Sequence, residues 1–310
     1  MAPHRTLALL RRILPAPAKR YIRGVVKLAP STVRERIAVL DQRSLRMAPQ
    51  PRLSYIVLKI LDHCNLRCKG CDHFAAIARR HFVSLESIQG DLGRMADLFD
   101  RDVARIGVMG GEPLLHPELK QILAETRRHF PNTVIQLVTN GILLMRQDEE
   151  FWSVCRENGI VIVNTRYPIG LDHGAMAATA RANQVMFEHF GETGANPKTS
   201  YRIPLDVSGE QDGAESFLDC FHANHLVLIM EGRLYGCTVA PNVHIFNERF
   251  GTALELEEGD HLDIHKAQSK KEVLEFLCRP KPFCRYCDVG HRSYGHPWQR
   301  SKGEMSEWTA

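Results

Sequence analysis

From residue 54 onward, apolar and polar positions settle into two alternating rhythms. Residues 54–61 form an apolar run of strand length, and residues 84–100 repeat at helical spacing. In the second, Ser84 stands as N-cap, and Leu85, Ile88, Leu92, Met95, Leu98 and Phe99 form the buried stripe. A strand is predicted over 105–109 and a helix over 117–129, opened by Pro117. The alternation continues with a strand over 134–138 and a helix over 147–157 that stops at Asn158-Gly159. A strand over 160–164 and a helix over 174–190 complete it. This βαβαβαβα succession, with short right-handed crossovers, predicts an α/β fold with a parallel sheet. Periodicity alone does not separate a partial barrel from a doubly wound sheet. After Gly213 the pattern changes. Residues 225–236 alternate around Glu231-Gly232-Arg233 and read as a β-hairpin, followed by a helix over 270–277.

The densest chemistry follows the first strand. Cys64, Cys68 and Cys71 stand as C-x3-C-x2-C in a chain of nine cysteines. Three thiolates are one short of a closed zinc or four-iron site. Zinc would need a fourth ligand, for which His63 and His73 are near. The soft-ligand reading is a [4Fe-4S] cluster with one open iron. The second strand runs into Gly110-Gly111-Glu112, where two glycines allow close backbone approach and a carboxylate offers opposite charge to an ammonium. The third ends in Thr139-Asn140-Gly141, and Asn164 and Arg166 end the fourth.

On these three motifs the chain resembles the radical S-adenosylmethionine (radical SAM) superfamily. The resemblance implies a partial (βα)6 TIM-like barrel over residues 51–215, with the motifs at C-terminal strand ends, where barrel chemistry is usually placed. It implies that Cys64, Cys68 and Cys71 hold the cluster, and that Gly110, Gly111 and Glu112 receive the methionine amino group. Thr139 and Asn140 lie at the ribose, with Asn164 and Arg166 toward the cofactor's carboxylate or ribose. The implied chemistry is reductive cleavage of S-adenosylmethionine to a 5′-deoxyadenosyl radical that abstracts a substrate hydrogen. One departure stands out. Many relatives carry an aromatic residue before the third cysteine; here it is Gly70, and Phe74 is the candidate replacement.

Cys220, Cys237, Cys284 and Cys287 form a second set, a hairpin pair followed by C-x2-C. The pattern resembles the shortened auxiliary-cluster module called Twitch rather than the longer SPASM, because no cysteine follows Cys287. This implies an auxiliary [4Fe-4S] cluster in a C-terminal β-hairpin/helix module over 216–310. A zinc ribbon on the same thiolates is the alternative. Cys278 is a candidate hydrogen-atom donor, or a substitute ligand for Cys220. Cys155 reads as a small buried hydrophobe, and His116 as a helix cap.

Composition narrows the partners. Residues 1–50 carry eleven Lys/Arg against Glu35 and Asp41, whereas the whole chain is only +4. Short amphipathic stretches over 5–14 and 19–27 make this basic extension a candidate for weak peripheral membrane contact, with bracing of the barrel the favoured reading. No aromatic platform accompanies the charge, so no nucleic-acid partner is expected. Cysteines without a secretion signal point to the cytoplasm. The expected reaction is oxidation of a small hydroxylated substrate, sugar or cyclitol-like, with electrons from a donor such as flavodoxin or ferredoxin. Peptide modification is the runner-up and epimerisation the third reading.

Overall fold

The computed structural model describes residues 30–190, 198–202 and 204–310. The amphipathic stretches expected over 5–14 and 19–27 lie outside the described residues. The first described element is helix α1 (Ser31–Arg46). It braces the C-terminal part of the chain: Arg43 pairs with Glu215 and Asp219, and Asn224 Nδ2 donates to Leu45 O and Ala48 O at 3.1 and 2.8 Å.

Strands β1 (Ile56–Lys59), β2 (Arg105–Met109), β3 (Val134–Thr139), β4 (Ile160–Asn164) and β5 (Met186–His189) lie side by side in chain order, all parallel. Helices α2 (Leu85–Leu98), α3 (Leu119–His129), α4 (Glu149–Glu157) and α5 (His173–Ala182) make the crossovers. Ser84 caps α2 by accepting from Ser87 N, and Asp148 caps α4 by accepting from Phe151 N. The helix expected from Pro117 starts at Leu119. The helix expected over 174–190 is α5 followed by β5. The chain turns at Gln184, which takes a φ of 59°, and Met186–His189 then pairs with β4. Short apolar runs do not separate helix from strand by period alone.

The sixth parallel strand, β7 (Val227–Met230), joins on the free side of β1, with Ile56 opposite Val227. The expected hairpin therefore extends the main sheet: β8 (Arg233–Tyr235) pairs antiparallel with β7, and β9 (His261–Asp263) with β8. Its turn uses Glu231 and Gly232 at φ 50° and 75°, and Gly232 N donates to the buried Asp91 carboxylate of α2 at 2.9 Å. Strand β6 (Thr199–Arg202) leaves this sheet and pairs with β10 (Ser293–Pro297).

Strand alternation then sorts the two faces. Ile56, Leu58, Ile106, Val108, Ile135, Leu137, Ile160 and Ile162 pack in the main core. Val138, Val161 and Val163 form a separate small cluster on the other face, with Met109 against it. That second face encloses a cavity of about 530 Å³, as the inside of a partial barrel does. Fully buried Lys59, at the end of β1, is held by Asp62 and by Asn242 of the C-terminal part.

Candidate active site

The cavity sits at the C-terminal ends of the parallel strands. Cys64, Cys68, Cys71, Gly110, Gly111, Glu112, Thr139 and Asn140 all line it. Three loops that sequence placed tens of residues apart thus share one wall.

The glycine pair has a cause the sequence did not disclose. A Cβ on Gly110 would stand 2.3 Å from Leu61 O, and one on Gly111 would stand 2.0 Å from His63 O. Gly111 N and Glu112 N donate to those same carbonyls at 3.2 and 3.1 Å. The glycines therefore admit the backbone that leads into Cys64, and β2 fixes the start of the cysteine loop.

Glu112 is buried and accepts three hydrogen bonds, from Thr139 Oγ1 at 2.6 Å, Asn140 N at 2.8 Å and Leu114 N at 3.1 Å. Burial pushes its carboxyl up to about 7, against the pull of these donors. Asn140 carries the network onward: its Nδ2 donates to Asn65 Oδ1 at 2.8 Å and lies 3.6 Å from Cys64 Sγ. Gly141 must be glycine, with φ 82° and Asn164 Nδ2 only 2.5 Å from where a Cβ would be.

Other expected residues lie elsewhere. Asn164 is fully buried outside the cavity lining, with its Nδ2 donating to Thr139 O at 3.3 Å and its Oδ1 2.8 Å from His173 Nδ1. Arg166 is likewise absent from the lining. Thr165 and Tyr167 line the cavity instead, continuing the alternation of Val161 and Val163. Counting by two along the fourth strand would have found them. Phe74 packs against Phe246 and Trp308, with ring centroids 5.4 and 5.9 Å away, rather than on this cavity. His116 stands ahead of α3, whose N-cap is Glu118; the His116 Nδ1 accepts from Glu118 N at 3.1 Å, which is not a capping bond to the helix itself.

The second cysteine set surrounds a smaller cavity of about 50 Å³, lined by Cys220, Cys237 and Cys287. Cys284 is close enough to interact electrostatically with the other three. Cys278 lines neither cavity; its thiol donates to Glu275 O at 3.4 Å. Asp72, His222 and Thr238 line both cavities, and Thr238 Oγ1 donates to Asp72 Oδ2 at 2.8 Å. One hydrogen bond thus joins the neighbour of Cys71 to the neighbour of Cys237.

Burial pushes every one of these seven thiols up, Cys64 to about 12 and Cys284 to about 11. Buried thiols crowded together require a cation before they ionise, as metal-binding cysteines do. The donor set of the first cavity, three thiolates, fits a [4Fe-4S] cluster with an open iron, and the second set, four thiolates, fits either a closed cluster or zinc.

Residues 58–184 match the sequence family described as the Radical SAM superfamily. GTP 3',8-cyclase 1 of Mycobacterium tuberculosis is 32% identical over 125 residues, 38% of this chain and 31% of that protein. GTP 3',8-cyclase of Mesorhizobium japonicum is 29% identical over 100 residues, 30% of this chain and 29% of that protein. The match thus spans about a third of the length of these curated relatives. Among solved structures, BtrN in complex with AdoMet and 2-DOIA aligns over 76% of this chain and 93% of its own, at TM-score 0.48 and 17% identity. Streptococcus suis SuiB bound to precursor peptide SuiA aligns over 54% and 40%, at TM-score 0.36 and 14% identity.

Proposed function

We propose that the chain, whose residues 58–184 match the Radical SAM superfamily, uses the [4Fe-4S] cluster and S-adenosylmethionine of that superfamily to oxidise a small hydroxylated substrate. The reading rests on one observation: the cavity lined by Cys64, Cys68 and Cys71 and the cavity lined by Cys220, Cys237 and Cys287 share a wall of Asp72, His222 and Thr238.

The cluster and S-adenosylmethionine, when bound, supply removal of a hydrogen atom from a substrate carbon. Cys64, Cys68 and Cys71 hold the cluster, and Glu112 with its glycine pair receives the cofactor's ammonium. Thr139 orients that carboxylate through its hydrogen bond. The remaining cavity, between Tyr55, Phe190, Lys198 and Phe221, takes the substrate and excludes bulk water from it. Converting a secondary alcohol to a ketone also releases a proton and a second electron. His222 can take the proton, and Cys220, Cys237, Cys284 and Cys287 would hold an auxiliary cluster, which would supply an acceptor for the electron beside the shared wall. An external donor such as flavodoxin or ferredoxin would supply the reducing electron to a cluster held by Cys64, Cys68 and Cys71.

The test uses anaerobically reconstituted protein, dithionite, S-adenosylmethionine and a panel of cyclitols and sugars deuterated at secondary carbinol carbons. We expect 5′-deoxyadenosine carrying one deuterium, matched one-to-one by ketone. A Cys284→Ala/Cys287→Ala variant should keep the deuterium transfer and lose the ketone. Absence of 5′-deoxyadenosine under all conditions overturns the radical reading. Deuterium transfer without net oxidation overturns the dehydrogenase reading and favours epimerisation.

A further inference from the structure

The C-terminal tail lies across the cysteine loop as a strap. Lys69 N donates to Gln299 O at 2.9 Å, and Ser301 N donates to Arg67 O at 2.8 Å. Two indoles add side-chain bonds: Trp308 Nε1 donates to Cys71 O at 2.9 Å, and Trp298 Nε1 donates to Cys68 Sγ at 3.1 Å. The strap also accounts for Gly70, whose φ is 65° and whose Cβ would press on Glu307 O at 3.2 Å. The Tyr167 hydroxyl also bonds the Cys68 sulfur, and its ring lies 6.0 Å from that of Trp298.

We infer that residues 298–308 hold the first cluster's loop in place, and that Trp298 is a positioning residue whose N–H bond to the Cys68 sulfur sets how readily that cluster is reduced. This rests on the proposed cluster at Cys64, Cys68 and Cys71. The argument is electrostatic. Reduction adds negative charge that spreads onto the thiolate sulfurs, and a donor aimed at a sulfur stabilises the reduced state and raises the potential. Trp298 does so from a half-buried site, where such a bond is stronger than in water. Trp308, bonded to a carbonyl instead, holds the loop without touching a sulfur.

The experiment is a potentiometric titration of the reconstituted protein, following the reduced-cluster electron paramagnetic resonance signal that shifts on adding S-adenosylmethionine. Only a cluster with an open iron gives that response. Trp298→Phe keeps the ring and removes the N–H. It should make reduction roughly tenfold less favourable, about 59 mV for a one-electron couple. Trp308→Phe should leave the potential in place but speed loss of iron to a chelator. Replacing all tryptophans by 5-fluorotryptophan preserves shape and strengthens the donor, so the potential should rise; this arm serves if Trp298→Phe folds poorly. An unmoved potential in both Trp298→Phe and the fluorinated protein overturns the inference while leaving the cluster in place. If the Cys64→Ala/Cys68→Ala/Cys71→Ala variant holds as much iron as wild type, the underlying reading falls as well.

Discussion

Glu112 concentrates the chemical constraint at the end of the cavity proposed for the cofactor. It is buried, three donors fix it, and burial raises its carboxyl to about 7 from an ordinary 4.5. Folded protein without cofactor therefore binds more protons here than unfolded protein does between those values. The stabilisation is present at low pH and is lost as pH rises through about 7. We expect the melting temperature of cofactor-free protein to fall from pH 5 to pH 8, and this slope to flatten in Glu112→Gln. Affinity for S-adenosylmethionine should rise over the same window, because the ammonium prefers the ionised carboxylate. Glu112→Gln should weaken binding by about 10- to 100-fold, the loss of one hydrogen bond to a charged group. Equilibrium dialysis at pH 6 and pH 8 reads both effects; a flat profile in wild type would remove Glu112 from the ammonium site.

The strand ends explain why short motifs work as sites. Gly110-Gly111 ends β2, and the backbone of residues 61–63 lies against it so closely that a single methyl group has nowhere to go. Gly111→Ala is expected to cost about 1–3 kcal/mol through overpacking and to release iron from the first cysteine set. Thermal denaturation and iron analysis check it, and full retention of both would show the loop to be independent of β2. The motifs at the ends of β1, β2 and β3 were legible in the sequence because each stands at a strand-to-turn junction. Asn164 and Arg166 were chosen by the same rule and lie outside the cavity lining, whereas Thr165 and Tyr167 line it. The rule located the strand end, but only the register of the alternation decides which side chain faces inward.

The chain as a whole is organised by how its C-terminal part returns to the sheet. Strand β7 pairs with β1, the strand that delivers the first cysteine loop, so the second cysteine set is built beside the first. Lys59 locks this arrangement, with its ammonium between Asp62 and Asn242. Lys59→Met leaves both partners buried without it and should destabilise by about 3–5 kcal/mol, measured as a lower urea midpoint. Iron and sulfide counting tests the two-site plan. Wild type should hold about eight irons, and the Cys64→Ala/Cys68→Ala/Cys71→Ala variant about four. Zinc in the remaining site would end its part as electron acceptor.

The linear chain by itself determined the parallel α/β core and the two groups of cysteines, because hydrophobic period and ligand spacing are local properties. It also marked Gly110-Gly111-Glu112 and Thr139-Asn140 as places of chemistry. Folding alone decided that β7 inserts beside β1, that Asp72 and Thr238 meet between the cysteine sets, and that Trp298 reaches Cys68 from 230 residues away. Those contacts depend on which edge of the sheet the returning chain finds, a choice set by packing between distant segments and written in no short stretch of residues.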